Sequence, residues 1–214
     1  MPYADFGEKV SFGTGSQFLK LKSKGDKLRF RILGRPFIEG KHFTKTEDGW
    51  DVTPCPRVNE KQDCPSCTIY MKAIGAANKT KDEAIKKKAH KEFDKYNATI
   101  SVYYPIIDRL TQEFRVFQTT MGVRGKIESE GEMGVKVLAV DFDIMRTELP
   151  GSDYYKLSRV DSAETTPLTD LESELIEKNK NVDLSQIVNG TADDDSTVAF
   201  EANSEVRDDV EPAV

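Results

Sequence analysis

Hydrophobic and polar residues alternate along "KLRFRILG" (27–34), with Leu28, Phe30 and Ile32 on one side and Lys27, Arg29 and Arg31 on the other. A period of two in β-compatible residues predicts a half-buried strand, here with a basic outer face. Similar stretches predict strands over 98–107, 113–120, 135–145 and 154–160, the first two of these joined by the hairpin-length loop "DRLTQ". Residues 79–97 carry Ile85, Ala89, Phe93 and Tyr96 at helical spacing behind a capping-box pattern of Thr80 with Glu83, which predicts a helix. Lys86, Lys87, Lys88, Lys91 and Lys95 fall mostly off that stripe, and His90 beside it is expected to be exposed. A short helix is expected after Thr120, and a second capping box, Thr169 with Glu172, opens a helix in "TDLESELIEKNK".

These elements predict a mainly β protein with helical insertions. Five is the strand count of the oligonucleotide-binding barrel, the OB-fold, although a strand count alone does not separate it from other small all-β folds. The expected layout is an irregular arm over 1–19 and a core over 20–160 that carries an insertion at 42–67 and the basic helix at 79–97. A linker with a helix follows over 161–190, then an acidic, aperiodic tail over 191–214 that is expected to be disordered. No run approaches the roughly 18 apolar residues of a membrane helix, and "MPYADFGEKVSFGTG" lacks the layout of a signal peptide. A cytoplasmic, reducing compartment is expected.

Charge changes the picture. The net charge of −6 averages two unlike parts, because Asp161–Val214 holds 15 acidic and 3 basic residues and residues 1–160 hold 28 basic and 22 acidic. A basic body of net +6 with an acidic end of net −12 points to a polyanionic partner, or to a solubilising tail on an ordinary domain.

All three cysteines lie within "HFTKTEDGWDVTPCPRVNEKQDCPSC" (42–67), with one of the two histidines at its start. Thiolate sulfur and imidazole nitrogen are the ligands zinc prefers, four at a time in structural sites. Cys64 and Cys67 share a tight knuckle, Cys55 sits between two prolines, and His42 is the nearby fourth candidate, while His90 lies on the helix. Such a set, filled by its own chain, predicts one structural Zn²⁺. A redox CxxC would want a βαβ context, an iron–sulfur cluster would leave the histidine without a role, and unrelated buried cysteines would have no reason to cluster.

Several strands predict cations or aromatic rings on an outer face: Arg29 and Arg31 with Arg35 beyond, Tyr103, Arg115 and Phe117, and Tyr154 with Lys156. Lys20 and Lys22 in the basic lead-in add a positive rim, and Trp50 inside the cysteine segment is a further stacking candidate. Cations track phosphates and exposed rings stack on unpaired bases. Against this, a ring on a strand is more often core than platform, and a slip of one residue turns every side chain over. Two other classes remain open: a zinc-ribbon adaptor binding protein or duplex nucleic acid, and a nuclease using Asp141 and Asp143, which share a strand face.

The order His42, Cys55, Cys64, Cys67, set early in a small β core with a basic lead-in and an acidic tail, resembles the zinc-containing single-stranded DNA-binding, helix-destabilising proteins of tailed bacteriophages. Its middle gap is one residue shorter than the usual pattern of that family. The resemblance implies an OB-fold, non-enzymatic coat for single-stranded DNA in phage replication, recombination and repair. It also implies cooperative self-association on DNA, a tail that recruits replication and recombination proteins, and a bacterial host cytoplasm. The basic stretch Lys20, Lys22, Ser23, Lys24 echoes the family's N-terminal motif only loosely, and the tail ends "DDVEPAV" without a terminal aromatic, leaving Phe200 as an internal hydrophobic hook.

Overall fold

A strand that is apolar on both sides must be covered on both sides, and residues 99–108 form such a strand: from Val102 onward every residue is buried. In the computed structural model, residues 18–149, 154–160, 167–179 and 182–190 are described. The expected arm up to residue 17 and the acidic tail from 191 lie outside them. The strands are β1 (Phe18–Leu19), β2 (Lys27–Ile32), β3 (Phe37–Thr46), β4 (Gly49–Pro54), β5 (Thr99–Asp108), β6 (Glu113–Thr119), β7 (Asp141–Arg146) and β8 (Tyr155–Arg159). The helices are α1 (Pro56–Asn59), α2 (Pro65–Ala77), α3 (Glu83–Phe93, followed by a 3₁₀ turn at Asp94–Tyr96), α4 (Met121–Glu132), α5 (Asp170–Asn179) and α6 (Leu184–Gly190).

The sheet is mixed and open. Its strands run β1-β6-β5-β2-β7-β8, with β3 joined to β5 and β4 to β3. A closed barrel gives every strand two neighbours, whereas β1, β4 and β8 have one each among the described residues. The expected five-stranded closed barrel is therefore corrected to an open sheet with helices. β5 takes two partners end to end, Thr99–Tyr103 pairing with β3 and Ile106–Asp108 with β2. Pro105, which has no N–H for a ladder, stands where the partner changes. The chain also divides there into two units, the first comprising 18–20, Gly34–Pro105 and Arg115–Val135, and the second Leu21–Leu33, Ile106–Phe114 and the described residues from Lys136.

In the second unit β7 lies between β2 and β8. Leu28, Phe30, Ile32, Phe142 and Ile144 are buried, with the Phe30 and Phe142 rings stacked at 5.9 Å. Each such apolar side chain contributes about 1.5–3 kcal/mol. The opposite face pairs charge with charge, Arg29 across from Asp143 and Arg31 across from Asp141. Arg31 is only 7% exposed, not outward as its alternation predicts, because its Nε donates to Asp141 Oδ1 at 2.7 Å and a buried guanidinium needs such a partner. Arg109, in the loop after β5, reaches Asp141 Oδ2 at 3.2 Å and Glu172 Oε1 at 2.6 Å.

Glu172 also closes the expected capping box: the Thr169 N–H donates to its Oε2 at 2.8 Å and its own N–H donates to Thr169 Oγ1 at 3.2 Å. Burial alone would raise its carboxyl, but the Thr169 N–H and the Arg109 guanidinium outweigh burial and hold it below the usual glutamate range. Of the strand expected over 135–145, residues 135–140 are irregular, with a turn at 137–138. The Val135 and Ala139 N–H groups go to local bonds with Glu130 O and Lys136 O rather than to a ladder.

In the first unit β3 and β4 form a hairpin, with Gly49 at φ 138°, a region reserved for glycine. Tyr103 and Phe117 are buried rather than outward. Tyr103 lies against Phe18 and Phe37, each with its ring centre 6.2 Å away, and its hydroxyl donates to buried Glu39 Oε2 at 3.1 Å. β6 buries both Val116 and Phe117, so both of its sides are covered where β1 joins it. α3 starts later than Thr80 and Glu83 suggest, because the Asp82 carboxylate takes the Ala84 and Ile85 N–H groups as its cap while Thr80 Oγ1 accepts from the Asp82 N–H. His90 is exposed as expected, with the Tyr70 hydroxyl 3.4 Å from its Nδ1.

Arg109→Met should strand the buried Glu172 carboxylate and cost about 3–5 kcal/mol in urea unfolding, with Glu172→Gln restoring part of it in the double variant. Because the folded pKa of Glu172 is depressed, its stabilisation is complete above the usual glutamate range and drains away as pH falls below it. Unfolding of the wild type and of Glu172→Gln should therefore converge on acidification.

Candidate metal centre and strand faces

His42, Cys55, Cys64 and Cys67 are all buried, and their ligand atoms lie within 4.8 Å of one another. The same local device places two of the sulfurs. Cys55 and Cys64 stand in extended conformation immediately before α1 and α2, and each is followed by proline at the first helical position, where a fixed φ and a missing N–H suit a helix start. Cys67 follows in the first turn of α2. His42 comes from the middle of β3.

The piece that brings these elements together is Gly40. Its N–H donates to Asn59 Oδ1 at 2.7 Å, and its carbonyl accepts from the Cys55 N–H at 2.8 Å and from Asn59 Nδ2 at 3.2 Å. A Cβ at this position would stand 2.6 Å from Val58 Cβ. Glycine thus lets α1 lie directly on β3. Nothing in the cysteine spacing signals this contact; the only clue is a glycine inside a strand pattern.

His42 Nε2 is 3.2 Å from Cys64 Sγ and 3.7 Å from Cys67 Sγ, and Cys55 Sγ is 3.5 Å from Cys67 Sγ. A tetrahedral ion with sulfur at about 2.3 Å and nitrogen at about 2.0–2.1 Å has donor–donor edges of about 3.5–3.8 Å; two of these separations match it, the His42–Cys64 one is shorter, and the four donors converge closely enough to hold one ion. Nε2 faces the sulfurs, while Nδ1 is buried without a hydrogen-bond partner among the described residues. Burial pushes the Cys67 thiol up to about 12, with the Cys55 and Cys64 sulfurs adding to the rise. Cys64 goes down in spite of burial, because the Cys67 backbone and the neighbouring thiols hydrogen-bond its sulfur. Three sulfurs this close cannot all carry charge without a counter-charge, which is what a divalent cation supplies. The centre is a buried Cys₃His cluster able to hold one metal ion, with no fifth donor among the described residues.

The expected nucleic-acid contacts are scattered. Lys20, Lys22, Arg35, Trp50 and Lys156 are exposed, Arg115 and Tyr154 are half-buried, and Arg31, Tyr103 and Phe117 are interior. The Arg146 guanidinium lies 4.7 Å over the Tyr154 ring. On the outer face of the second unit, Lys27 and Lys156 flank Met145 in register, next to the bidentate Arg29–Asp143 pair at 2.8 and 2.7 Å. Asp141 and Asp143 share a face as expected, but arginines hold both.

One surface was not singled out by the sequence. Lys41, Phe43 and Lys45 on β3 stand opposite Pro54, Val52 and Trp50 on β4. Directly opposed residues share a face, and His42 with Thr53 points to the other. Trp50 is 52% and Val52 44% exposed.

Gly40→Ala should force α1 off β3, so metal retained per chain after dialysis, measured by a colorimetric zinc assay, should fall well below that of the wild type. Retention at the wild-type level would mean that Val58 yields and the close approach is dispensable. Neither protein-family models nor curated proteins give a match to this chain, so the reading of the centre rests on its own donor atoms.

Proposed function

We propose that this chain is a non-enzymatic single-stranded DNA-binding protein whose Cys₃His centre holds one structural Zn²⁺, of the kind that coats DNA during phage replication, recombination and repair. Zinc is favoured by the donor set, three thiols and an imidazole whose ligand atoms lie within 4.8 Å of one another. Its role is to fix the base of the β3–β4 hairpin, and no position is left for chemistry.

The observation that carries the nucleic-acid reading is the hairpin face. It sets Lys45 beside Phe43, Trp50 and Val52, with Lys41 further along and held by Glu39 Oε1 at 2.9 Å, and the one acid on β4, Asp51, pairs with Thr44 on the other side. Exposed ring and apolar surface beside cations is what unpaired bases and their phosphates need, whereas a duplex keeps its base faces covered. The Lys27–Lys156 row on the second unit supplies further phosphate contacts. The acidic tail over 191–214 would recruit partner proteins, and coating would be cooperative.

Labelled oligo-dT and a duplex of equal length, titrated over a salt series, test this. Tight single-strand binding, weak duplex binding and quenching of Trp50, the sole tryptophan, are expected. Trp50→Ala should weaken oligo-dT binding at least fivefold, about the loss of one stacked base. Equal affinity for duplex, or for neither, would favour the zinc-ribbon adaptor instead.

A further inference from the structure

Helix α3 sorts its side chains into two opposed stripes. Ile85, Ala89 and Phe93 recur every four residues on one side, and Lys87 and Lys91 recur two residues out of phase, with Lys88 beside them and Lys95 continuing the line in the 3₁₀ turn. Residues four apart share a helix face, so the lysines lie roughly opposite the apolar stripe. α3 packs against α2, where Tyr70 meets His90. Lys86 lies off the lysine stripe and is paired with Glu83 Oε1 at 2.6 Å.

The stripe itself is unneutralised. Lys87, Lys88 and Lys91 are exposed, and none has an ion-pair partner among the described residues. The Lys95 ammonium stands 5.1 Å over the Tyr96 ring, which leaves its charge in place. Successive cations one turn apart are about 6 Å apart along the axis, a regular row suited to a regularly charged chain. No aromatic residue lies on the stripe, so it has nothing with which to stack on a base.

We propose that the lysine stripe of α3 is a second nucleic-acid contact, one that holds the phosphates of a single strand by charge alone and is separate from the hairpin face. It rests on the nucleic-acid reading given above. The two surfaces divide the work by chemistry: lysines interleaved with rings engage bases and phosphates together, and lysines without rings engage phosphates only. The mutual repulsion of Lys87, Lys88 and Lys91, none of which has an ion-pair partner among the described residues, is relieved when phosphates approach. Binding at this stripe is blind to sequence and steeply dependent on salt.

The test compares full-length K87Q/K88Q/K91Q with K61Q/K79Q/K136Q, which removes the same charge from exposed lysines off α3. Glutamine preserves helix propensity, and far-UV circular dichroism checks the fold. Anisotropy of labelled oligo-dT over a salt series should show the slope of log affinity against log salt shrinking by about 2 in the stripe variant, at about 0.7 for each phosphate no longer held, and by less than half as much in the control. Equal changes in both variants would assign the effect to net charge and overturn the proposal, as would an unchanged slope in the stripe variant. A wild type that binds no oligo-dT removes the single-strand reading and this inference together, whereas normal wild-type binding with an unaltered stripe variant removes only this one.

Discussion

The contact between Gly40 and the turn of helix at Val58 and Asn59 is the constraint on which the first unit depends. A side chain on β3 at that point would meet Val58 at 2.6 Å, and where β4 ends the Cys55 N–H donates to the same Gly40 carbonyl. Once α1 lies on the strand, Cys55 is fixed over His42, two residues further along β3, and Cys64 and Cys67 complete the cluster from the start of α2. The hairpin then turns His42 toward the cluster from one face and carries Lys45 and Trp50 on the other. Alternation along a single strand makes the buried donor and the exposed surface two sides of one object.

The second unit is organised by charge as much as by its apolar layer. The side chains of Arg31, Asp141, Arg109 and Glu172 are all largely covered and form a chain of ion pairs that runs from β2 through β7 to α5. Desolvating four charges is costly unless each has a partner, and each does. Glu172 serves two masters, capping the helix it belongs to and anchoring that helix to the loop after β5. Within the segment expected as a linker over 161–190, the described residues from 167 thus include a helix tied by ion pairs to β7.

Much of this was legible in the residues. The four metal donors announce themselves by type and spacing, and the Thr169–Glu172 box needs only two residues at the right separation. Alternation found β2 and β5, but alternation reports two faces, not what covers each. Tyr103 and Phe117 fall on an open side only if β5 and β6 are half-buried strands, whereas both strands are covered on both sides. Arg31 illustrates the complementary failure, since a buried arginine becomes visible only with the aspartate that neutralises it, 110 positions away. The hairpin was obscured by its own charges in "KHFTKTEDGWDVT", and α2 by a proline–serine–cysteine start that reads as a knuckle. Gly40, the residue that matters most to the centre, has no side chain through which to announce itself.

Arg29 and Arg31 on one strand, set against Asp143 and Asp141 on the next, act as a key with two teeth. A shift of one residue would turn the two charges of the shifted strand toward the apolar layer and leave their partners on the opposite face. A shift of two would keep a single tooth engaged and leave one arginine and one aspartate unmatched, one of them inside the fold. Only the observed alignment seats both pairs, so the charges that look like an outward binding face in the sequence instead specify which of the competing strand alignments the chain adopts.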